Sequence, residues 1–452
     1  MGVQGRSQKD LRCAFCWPDV LLYRDQFQEE PSLSPTNRPI QKISTELGVR
    51  DFLSPGLRAA DPGVWGRAPK KQFSRCLWVT PDLMMLGGFA DTMVGRLIAD
   101  TGDIYNQADY GKLELTDGYP LTNGREKRGF KPMFKTLYWT PDGSSLISVN
   151  EDNAIRLFIV PPDLLEGDKK TLMPYTRRFN PTPILSSAVY PGFSLQDPAT
   201  CGLVISTRNV PVKLYNALSS DSWSDASFPI FNANTESYQP AYAMAFDSSD
   251  NTLVCGSDRL TALFDTNRPG DDAYMALKMP GKCSAVTTYN SMVAVGTFEG
   301  YTRLYDGASG ELVLSQKADK GVMQLIMTGG DLVYRVNRRS DHIDVLDSRM
   351  GLRKVAQLDG FQGNTNQRIH VEHGFRGELY TGGIDGNVVY WPNANQGVDA
   401  SSKLLFSPHS NTVSSVALNP LDLGVMGTCS GDRDNQAPDY SLKIWNNLDS
   451  ED

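Results

Sequence analysis

Hydrophobic residues beyond position 132 fall into short runs rich in β-branched and aromatic side chains, separated by Gly, Pro, Asp and Asn. Such runs are typical of strands, and no long amphipathic helical period accompanies them. One mark recurs, in which a few apolar residues lead to an aromatic or leucine side chain that Asp or Asn often follows. The copies end on Phe158, Tyr215, Phe264, Tyr305, Leu346, Trp391 and Trp445, at spacings of 57, 49, 41, 41, 45 and 54 residues.

A second sequence feature recurs at a fixed distance from the first. Six residues before the aromatic residue stands a polar turn former, and these turn residues are Asp152, Asn209, Asp258, Glu299, Asp385 and Asp439. The fifth copy departs, with Ser340 at this place and Asp341 next. A side-chain oxygen here can accept backbone N–H groups and fix a tight turn between two strands. The spacing lies at or above the ~40–45 residues of a four-stranded blade. The pattern therefore predicts an all-β fold, a seven-bladed WD40-type β-propeller over residues 133–448.

Closure of such a ring requires an outer strand for the last blade, whose own copy supplies three strands. Residues 1–132 are interpreted as a variable N-terminal extension that supplies this closing strand. The candidates are Leu113–Thr116 and the Val64-Trp65 region. In the alternative, Phe73–Asp100 forms an eighth blade, because Leu77–Asp82 resembles Leu137–Asp142.

Charge is distributed unevenly along the 452 residues, whose formal net charge is −8. Residues 1–132 carry 18 basic and 16 acidic side chains, and the remainder carries 26 and 36. Bulk attraction to DNA, other nucleic acid or an anionic membrane is therefore not expected, and phosphate binding would need a local basic patch. Seven scattered cysteines give no disulfide framework, which favours a reducing compartment.

Catalytic and metal-binding motifs are sparse, so we expect a protein that is not an enzyme and needs no cofactor. His370 and His373 lie three apart on a predicted strand and point to opposite faces, which suits shared metal ligation poorly. Cys13 and Cys16 have zinc-ligand spacing but lack two further ligands nearby. His409 precedes a strand as the histidine of a WD40 blade does, and we expect it to hydrogen-bond within the blade.

Basic residues favour a binding role instead. In a propeller, the turns between second and third strands and the links into first strands emerge on one face. That face receives Arg208, Arg259, Lys282, Lys320, Arg338, Arg339, Arg368 and Arg433. These cations could recognise phosphates or an acidic partner. Alternatively they form ordinary surface pairs with the acidic residues among them, Asp152, Asp258, Asp341, Asp385 and Asp432.

Several segments of residues 133–446 are specific enough to indicate a family. They are Trp139–Gly143, Glu151–Arg156, Val160–Glu166, Arg268–Gly270, Asp347–Arg349, Thr365–Ile369 and Ser430–Arg433. In these segments the chain resembles the telomerase Cajal-body WD40 proteins and their fungal splicing-associated relatives. Residues 1–132 do not share the resemblance.

The resemblance implies a nuclear, non-enzymatic scaffold that binds RNA within small ribonucleoproteins, in pre-mRNA splicing or in the handling of small Cajal-body or telomerase RNA. Its implied partners are small nuclear or small Cajal-body RNAs and their proteins, and a monomer is expected. The family motif maps onto Asn366, Gln367 and Arg368 and onto Gly431 and Arg433. Arg368 either contacts RNA or bridges neighbouring blades. The alternative function is a protein-only adaptor, such as a ubiquitin-ligase substrate receptor or a signalling platform.

Overall fold

Strands dominate the part of the chain that the structure, a computed structural model, describes: residues 95–110, 131–219, 224–247, 251–432 and 439–446. The 3-10 turns described there are Ile104–Asn106, Pro198–Thr200, Ser348–Met350 and Ala394–Gln396. The first strands are β1 Arg96–Asp100, β2 Phe134–Trp139, β3 Ser145–Asn150, β4 Ala154–Ile159, β5 Lys170–Thr171, β6 Thr176–Phe179, β7 Ile184–Val189, β8 Gly202–Thr207, β9 Val212–Asn216, β10 Ala226–Phe228, β11 Phe231–Asn232 and β12 Ser237–Tyr238.

The strands continue at the same density to the end of the described chain. They are β13 Ala243–Asp247, β14 Thr252–Gly256, β15 Asp258–Asp265, β16 Met275–Tyr289, β17 Met292–Thr297, β18 Tyr301–Asp306, β19 Leu312–Lys317, β20 Val322–Met327, β21 Leu332–Asn337, β22 Ser340–Asp347, β23 Arg353–Gly363, β24 Val371–His373, β25 Leu379–Gly382, β26 Val388–Trp391, β27 Ala400–Ser401, β28 Lys403–Phe406, β29 Val413–Leu418, β30 Met426–Ser430 and β31 Leu442–Asn446.

Mainly antiparallel sheets follow one another along the chain, with β1–β5 and β23–β27 as parallel pairs. Their strand orders are β2-β3-β4-β6, β10-β9-β8-β7, β13 through β19 in sequence, β20-β21-β22-β23-β27, β24-β25-β26-β28 and β29-β30-β31-β1-β5. The seven-stranded sheet is continuous because its long strand β16 pairs with β15 through its first part and with β17 through its second. Second strands are buried at all or nearly all positions, and β3 at every one, since neighbouring sheets cover both faces. Their sequences are therefore continuous apolar or small runs instead of alternating ones.

The first strands of successive sheets are joined by hydrogen bonds into a closed circuit. The donor and acceptor pairs are Tyr138 Oη to Ser187 O, Ser186 Oγ to Ala241 O, Thr288 Oγ1 to Phe246 O, Ser284 Oγ to Val322 O, Gln324 Nε2 to Val371 O and His370 N to Ser414 O. The circuit returns to its start where Ser414 Oγ donates to Phe134 O at 2.8 Å and Trp139 Nε1 donates to Ala417 O at 3.0 Å. The prediction of an all-β propeller is confirmed.

The outer strand next to the last repeat is β1, which pairs antiparallel with β31 in a register that puts Arg96 opposite Asn446 and Asp100 opposite Lys443. An N-terminal segment does complete this sheet, but neither candidate does so, and both candidates lie outside the described residues. The strand comes from the end of the stretch assigned to the alternative eighth blade, whose residues 73–94 are likewise outside the described part. Ile98 and Ala99 are buried, so apolar contact supplements the backbone ladder.

The segment that follows β1 packs on a buried ion pair. Arg156 donates through both terminal nitrogens to Asp152, at 3.1 and 2.7 Å, and both side chains are excluded from solvent. The Arg156 guanidinium lies 5.0 Å from the Tyr105 ring centroid, and Tyr110 Oη donates to Asp152 at 3.2 Å. A paired and stacked guanidinium offsets the cost of burying its charge, so these tyrosines fasten the N-terminal segment to the first sheet.

The last sheet carries the histidine network that the sequence predicts. His409 Nε2 lies 2.9 Å from Thr428 Oγ1, and its Nδ1 lies 3.3 Å from Ser441 Oγ and 3.6 Å from an Asp439 carboxylate oxygen. Trp445 Nε1 donates to the same Thr428 hydroxyl at 2.9 Å. Burial opposes ionisation of Asp439, but the hydrogen bonds from His409 and its neighbours outweigh it and lower the pKa of the carboxyl. The packing role predicted for His409 is confirmed.

Candidate nucleic-acid interface

The face of interest, called the upper face below, carries the turns from second to third strands and the links into first strands. Its turns include residues 208–211 between β8 and β9, the bulge at Asp258 and Arg259 where β15 begins, and residues 338–339 between β21 and β22. Its links include 364–370 before β24. The predicted binding residues divide into two groups on this face.

One group, called the closed arc, consists of Lys320, Arg338, Arg339, Asn366, Gln367 and Gly431. Lys320 Nζ donates to the Arg339 carbonyl at 3.0 Å, and Arg338 Nη2 donates to Asn366 Oδ1 at 2.9 Å. Gln367 Nε2 donates to the Gly431 carbonyl at 2.6 Å. These contacts tie three successive sheets together and use the side chains of Lys320, Arg338 and Gln367 within the protein, whereas Arg339 takes part through its carbonyl and is itself exposed.

Gly431 has a packing reason to be glycine. A Cβ atom added there would lie 2.6 Å from the Met133 Cβ and 3.0 Å from the backbone nitrogen and oxygen of Phe134. Backbone atoms cannot yield as a flexible side chain does, so a larger residue would push the closing sheets apart. The structure therefore accounts for Gly431 without a bound ligand. Arg433, its partner in the sequence motif, lies outside the described residues.

Arg368 turns away from the upper face into the central channel. Its Nη2 donates to the Ser284 carbonyl at 2.6 Å, although the first strands of the two sheets are separated by β20. Burial lowers the pKa of this guanidinium, and the nearby Tyr138 opposes that effect. The sequence left two roles for Arg368, contact with RNA or a bridge between blades. These contacts correspond to a bridge, and the two sheets that it joins are not adjacent.

The channel itself is a cavity of about 760 Å³ lined by first strands from around the ring. Glu372 and His370 face it from alternate positions. Burial raises the pKa of Glu372 to about 8, so the carboxyl is largely neutral at pH 7. Burial, with Arg368 adding to it, lowers the pKa of His370 to about 4. The channel is thus lined by groups held in their neutral forms near a buried guanidinium.

The second group, called the open arc, consists of Arg208, Arg259 and Lys282. Among the described residues, no carboxylate oxygen lies within ion-pairing distance, 4.0 Å, of these three cations. Lys282 Nζ lies 4.5 Å from the Tyr242 ring centroid, and Lys282 stands opposite Asp258 in the β15–β16 register. Arg208 and Arg259 are exposed. The open arc therefore presents cations whose charge the described protein does not neutralise.

The acidic residues of the upper face have other partners. Asp152 pairs with Arg156, Asp341 accepts from His342 at 2.8 Å, and Asp385 Oδ2 accepts from the Asn387 side chain at 2.7 Å. The described ion pairs and hydrogen bonds of Asp152 and Asp385 do not involve the upper-face cations, whereas the charge of Lys320 helps to lower the pKa of Asp341.

The predicted turn residues differ in how they act. Asp152 accepts from the Ala154 backbone N–H at 3.1 Å and Asp385 from that of Asn387 at 3.2 Å, while Asp439 accepts from the N–H of Ser410 at 2.8 Å. Asn209 instead adopts a left-handed backbone with φ of 62°, which asparagine tolerates well. Asp258 lies at a bulge and Glu299 over Gly281, with no turn hydrogen bond described for either.

Groups with metal or thiol chemistry do not gather in the described part of the chain. No cluster of three His, Cys, Asp or Glu side chains occurs there. The His370 ring neighbours Tyr138 and the His373 ring neighbours Tyr334, so the two face different surroundings. The described cysteines, Cys201, Cys255, Cys283 and Cys429, are free and buried, and burial raises the pKa of each. Cys13 and Cys16 lie outside the described residues.

Two aromatic residues of the upper face were not predicted from the sequence. Phe231 and Tyr238 pair across β11 and β12, a hairpin inserted between β10 and β13. The hairpin lies in the 49-residue stretch between the repeat marks at Tyr215 and Phe264. The signal within it is the turn-rich stretch Asn232–Ser237 between two aromatic residues.

No helix of the described chain is both long and apolar enough to cross a membrane.

Comparison with known proteins gives relatives of consistent type. No protein-family model matches the chain. It is 25% identical over 329 residues to guanine nucleotide-binding protein negative regulator 1 of Schizosaccharomyces pombe, covering 67% of this chain and 81% of that protein. It is 27% identical over 283 residues to Protein SWT21 of Vanderwaltozyma polyspora, covering 55% and 66%. It is 26% identical over 316 residues to human telomerase Cajal body protein 1, covering 66% of this chain and 57% of that protein. With the repeat marks and the propeller already described, these matches show that the chain is similar to the telomerase Cajal body proteins and their fungal relatives.

Proposed function

We propose that this protein is a non-enzymatic WD40 scaffold that associates with small ribonucleoproteins in the nucleus and contacts RNA through its upper face. The observation that carries the proposal is the open arc, whose two exposed arginines and half-buried lysine have no ion-pair partner among the described residues although the chain as a whole is acidic. Unneutralised arginines on a rigid surface suit phosphate recognition. The names of the Cajal body relatives support a ribonucleoprotein setting.

The pathway we propose is pre-mRNA splicing or the handling of small Cajal-body or telomerase RNA. The partners would be small nuclear or small Cajal-body RNAs and their proteins, bound by a monomer that uses no cofactor and contacts neither DNA nor membrane. The net negative charge supports selectivity, because it disfavours indiscriminate binding to any polyanion.

We also propose that the ring has seven blades. The support is that β16 divides the seven-stranded sheet into two four-stranded units that share one strand, and these two units make seven blades with the five other sheets of four or more strands. Direct hydrogen bonding between β2 and β29 also supports this count, because it makes the first and last sheets neighbours.

A protein-only adaptor is the second candidate function. The observation that favours it is the name of the Schizosaccharomyces pombe relative, which refers to guanine nucleotide-binding proteins and so to signalling. On this reading the open arc receives an acidic protein surface instead of RNA, and association would weaken with salt but survive ribonuclease.

The experiment that separates the two is purification of the tagged full-length protein from its own cells, with and without ribonuclease, followed by RNA sequencing and mass spectrometry. We expect enrichment of small nuclear or small Cajal-body RNAs and loss of most partner proteins after ribonuclease. A complete set of partners that persists after ribonuclease, with no enriched RNA, would reject the RNA proposal in favour of the adaptor.

A further inference from the structure

The β11–β12 hairpin exposes two aromatic rings side by side. Phe231 and Tyr238 stand opposite each other in the strand register, their ring centroids 5.7 Å apart and their planes inclined at 65°. Their exposed fractions are 53% and 39%, so neither ring is taken into the core. The rings are not stacked on each other, which leaves flat aromatic surface available to a partner.

The base of this hairpin is fixed between the two arginine turns of the open arc. Gln239 N donates to the Ile230 carbonyl at 2.7 Å and closes the hairpin. Directly after it, Ala241 N donates to Ser206 Oγ at 2.8 Å, and Ser257 Oγ donates to the Pro240 carbonyl at 2.8 Å. Ser206 lies two residues before Arg208, and Ser257 lies two residues before Arg259. The rings therefore stand on a hydrogen-bonded base flanked by two arginines that have no ion-pair partner within the described part of the chain.

This combination has a specific chemical meaning. An unpaired base presents a flat aromatic face, while the phosphates on either side of it carry negative charge, so exposed rings between arginines match a single strand. A duplex keeps its bases stacked on each other and offers the rings nothing comparable. We propose that the β11–β12 hairpin is a stacking platform for unpaired bases of the bound RNA, with Arg208 and Arg259 on the flanking phosphates. The inference rests on the proposed RNA function of the upper face.

The test combines direct RNA capture in cells with binding in vitro, using the double variant Phe231→Ala/Tyr238→Ala of the full chain. Its matched control is Phe375→Ala, which removes a ring that is 57% exposed and lies between β24 and β25, on the opposite face of the propeller. Cells are irradiated with ultraviolet light and the protein is purified under denaturing conditions, so that only directly contacted RNA remains. Binding in vitro uses a fluorescein-labelled single-stranded RNA 12-mer of mixed sequence and the duplex of the same length. Melting temperatures show that each variant is folded.

We expect the double variant to lose tenfold or more of its cross-linked RNA and of its affinity for the single-stranded 12-mer, since stacking on an aromatic ring contributes about 1–3 kcal/mol per base. Phe375→Ala should behave as the unsubstituted protein, and duplex binding should change little in either variant. Equal RNA yields from the unsubstituted protein and the double variant would overturn the platform while leaving the proposed function in place. Absence of cross-linked RNA from all three proteins would overturn both. Loss of a protein partner alone would show that the rings dock protein.

Discussion

The two arcs of the upper face carry similar side chains in different states. In the closed arc, Arg338 and Lys320 donate to oxygens of the protein itself, and Gln367 holds the backbone of the last sheet. In the open arc, Arg208 and Arg259 extend from turns with no ion-pair partner among the described residues, on either side of an exposed aromatic pair. A polar group already satisfied gains little from a ligand, whereas an unpaired one gains more. The difference separates residues that hold the ring together from residues available to a partner.

The largest expected change in unfolding free energy comes from Asp152, which forms a buried ion pair with Arg156. Asp152→Ala would remove the described carboxylate partner of the buried Arg156, and breaking such a buried pair costs about 3–5 kcal/mol of unfolding free energy. Asp385→Ala, at an equivalent turn but exposed, should cost less than about 1 kcal/mol. Denaturant unfolding of the two variants measures both. Equal losses would mean that burial does not distinguish these turn residues.

The next effect concerns Arg368, which the family motif alone would assign to the ligand. Arg368→Met should cost about 1.5–3 kcal/mol of unfolding free energy, because the buried Ser284 carbonyl loses a charged donor. RNA affinity, measured where the variant is fully folded, should stay within about twofold, a free-energy change of about 0.4 kcal/mol. An unchanged stability together with a large loss of RNA affinity would move Arg368 from the bridging role to the binding role.

Substitution of Gly431 tests whether close packing requires glycine at this position of the closed arc. We expect Gly431→Ala to lose about 1–3 kcal/mol of unfolding free energy, since the added Cβ meets the backbone of Phe134. Gly330→Ala is the matched control, because a Cβ there would meet no atom within 4 Å. Thermal melts that fall equally in both variants would show that the close approach at Gly431 does not limit the closing sheets.

Charge reversal compares the two arcs directly, at a smaller expected free energy. Arg208→Glu/Arg259→Glu should weaken binding of the single-stranded RNA 12-mer about tenfold or more, about 1.4 kcal/mol, and lower the salt dependence by about two phosphate contacts. Arg338→Glu/Arg339→Glu changes the net charge equally but should weaken binding less. Fluorescence anisotropy over a salt series gives both quantities. Equal losses would mean that only net charge matters and that the arcs do not differ.

Much of the propeller follows from the sequence because its determinants are local. Strands, turns and a period near the blade length recur within each repeat, so Asp152, Asp385 and His409 could be assigned to turns and packing without coordinates. The closing strand could not be assigned in this way. β1 is five residues long and pairs with a segment more than three hundred residues away, so no local pattern distinguishes it from other short apolar runs.

The sequence predicts which face of the propeller carries the site, but it does not predict that the site divides into a closed arc and an open arc. Sequence spacing places cations on the upper face, yet whether Arg338 meets Asn366 or Arg368 reaches Ser284 depends on contacts between sheets. Those contacts involve residues 28 and 84 positions apart, and spacing within one repeat carries no information about them. The exposed rings of the hairpin likewise can be recognised only when burial is known, since Phe and Tyr also occur in protein cores.

We expect RNA to contact the open arc and the hairpin between its turns. The most direct measurement is ultraviolet cross-linking of the unsubstituted protein in its own cells, followed by mass spectrometry of the peptides that carry a nucleotide adduct. Adducts should concentrate on peptides that contain Arg208, Phe231, Tyr238 and Arg259. Adducts confined to the opposite face, or to the closed arc alone, would contradict the account.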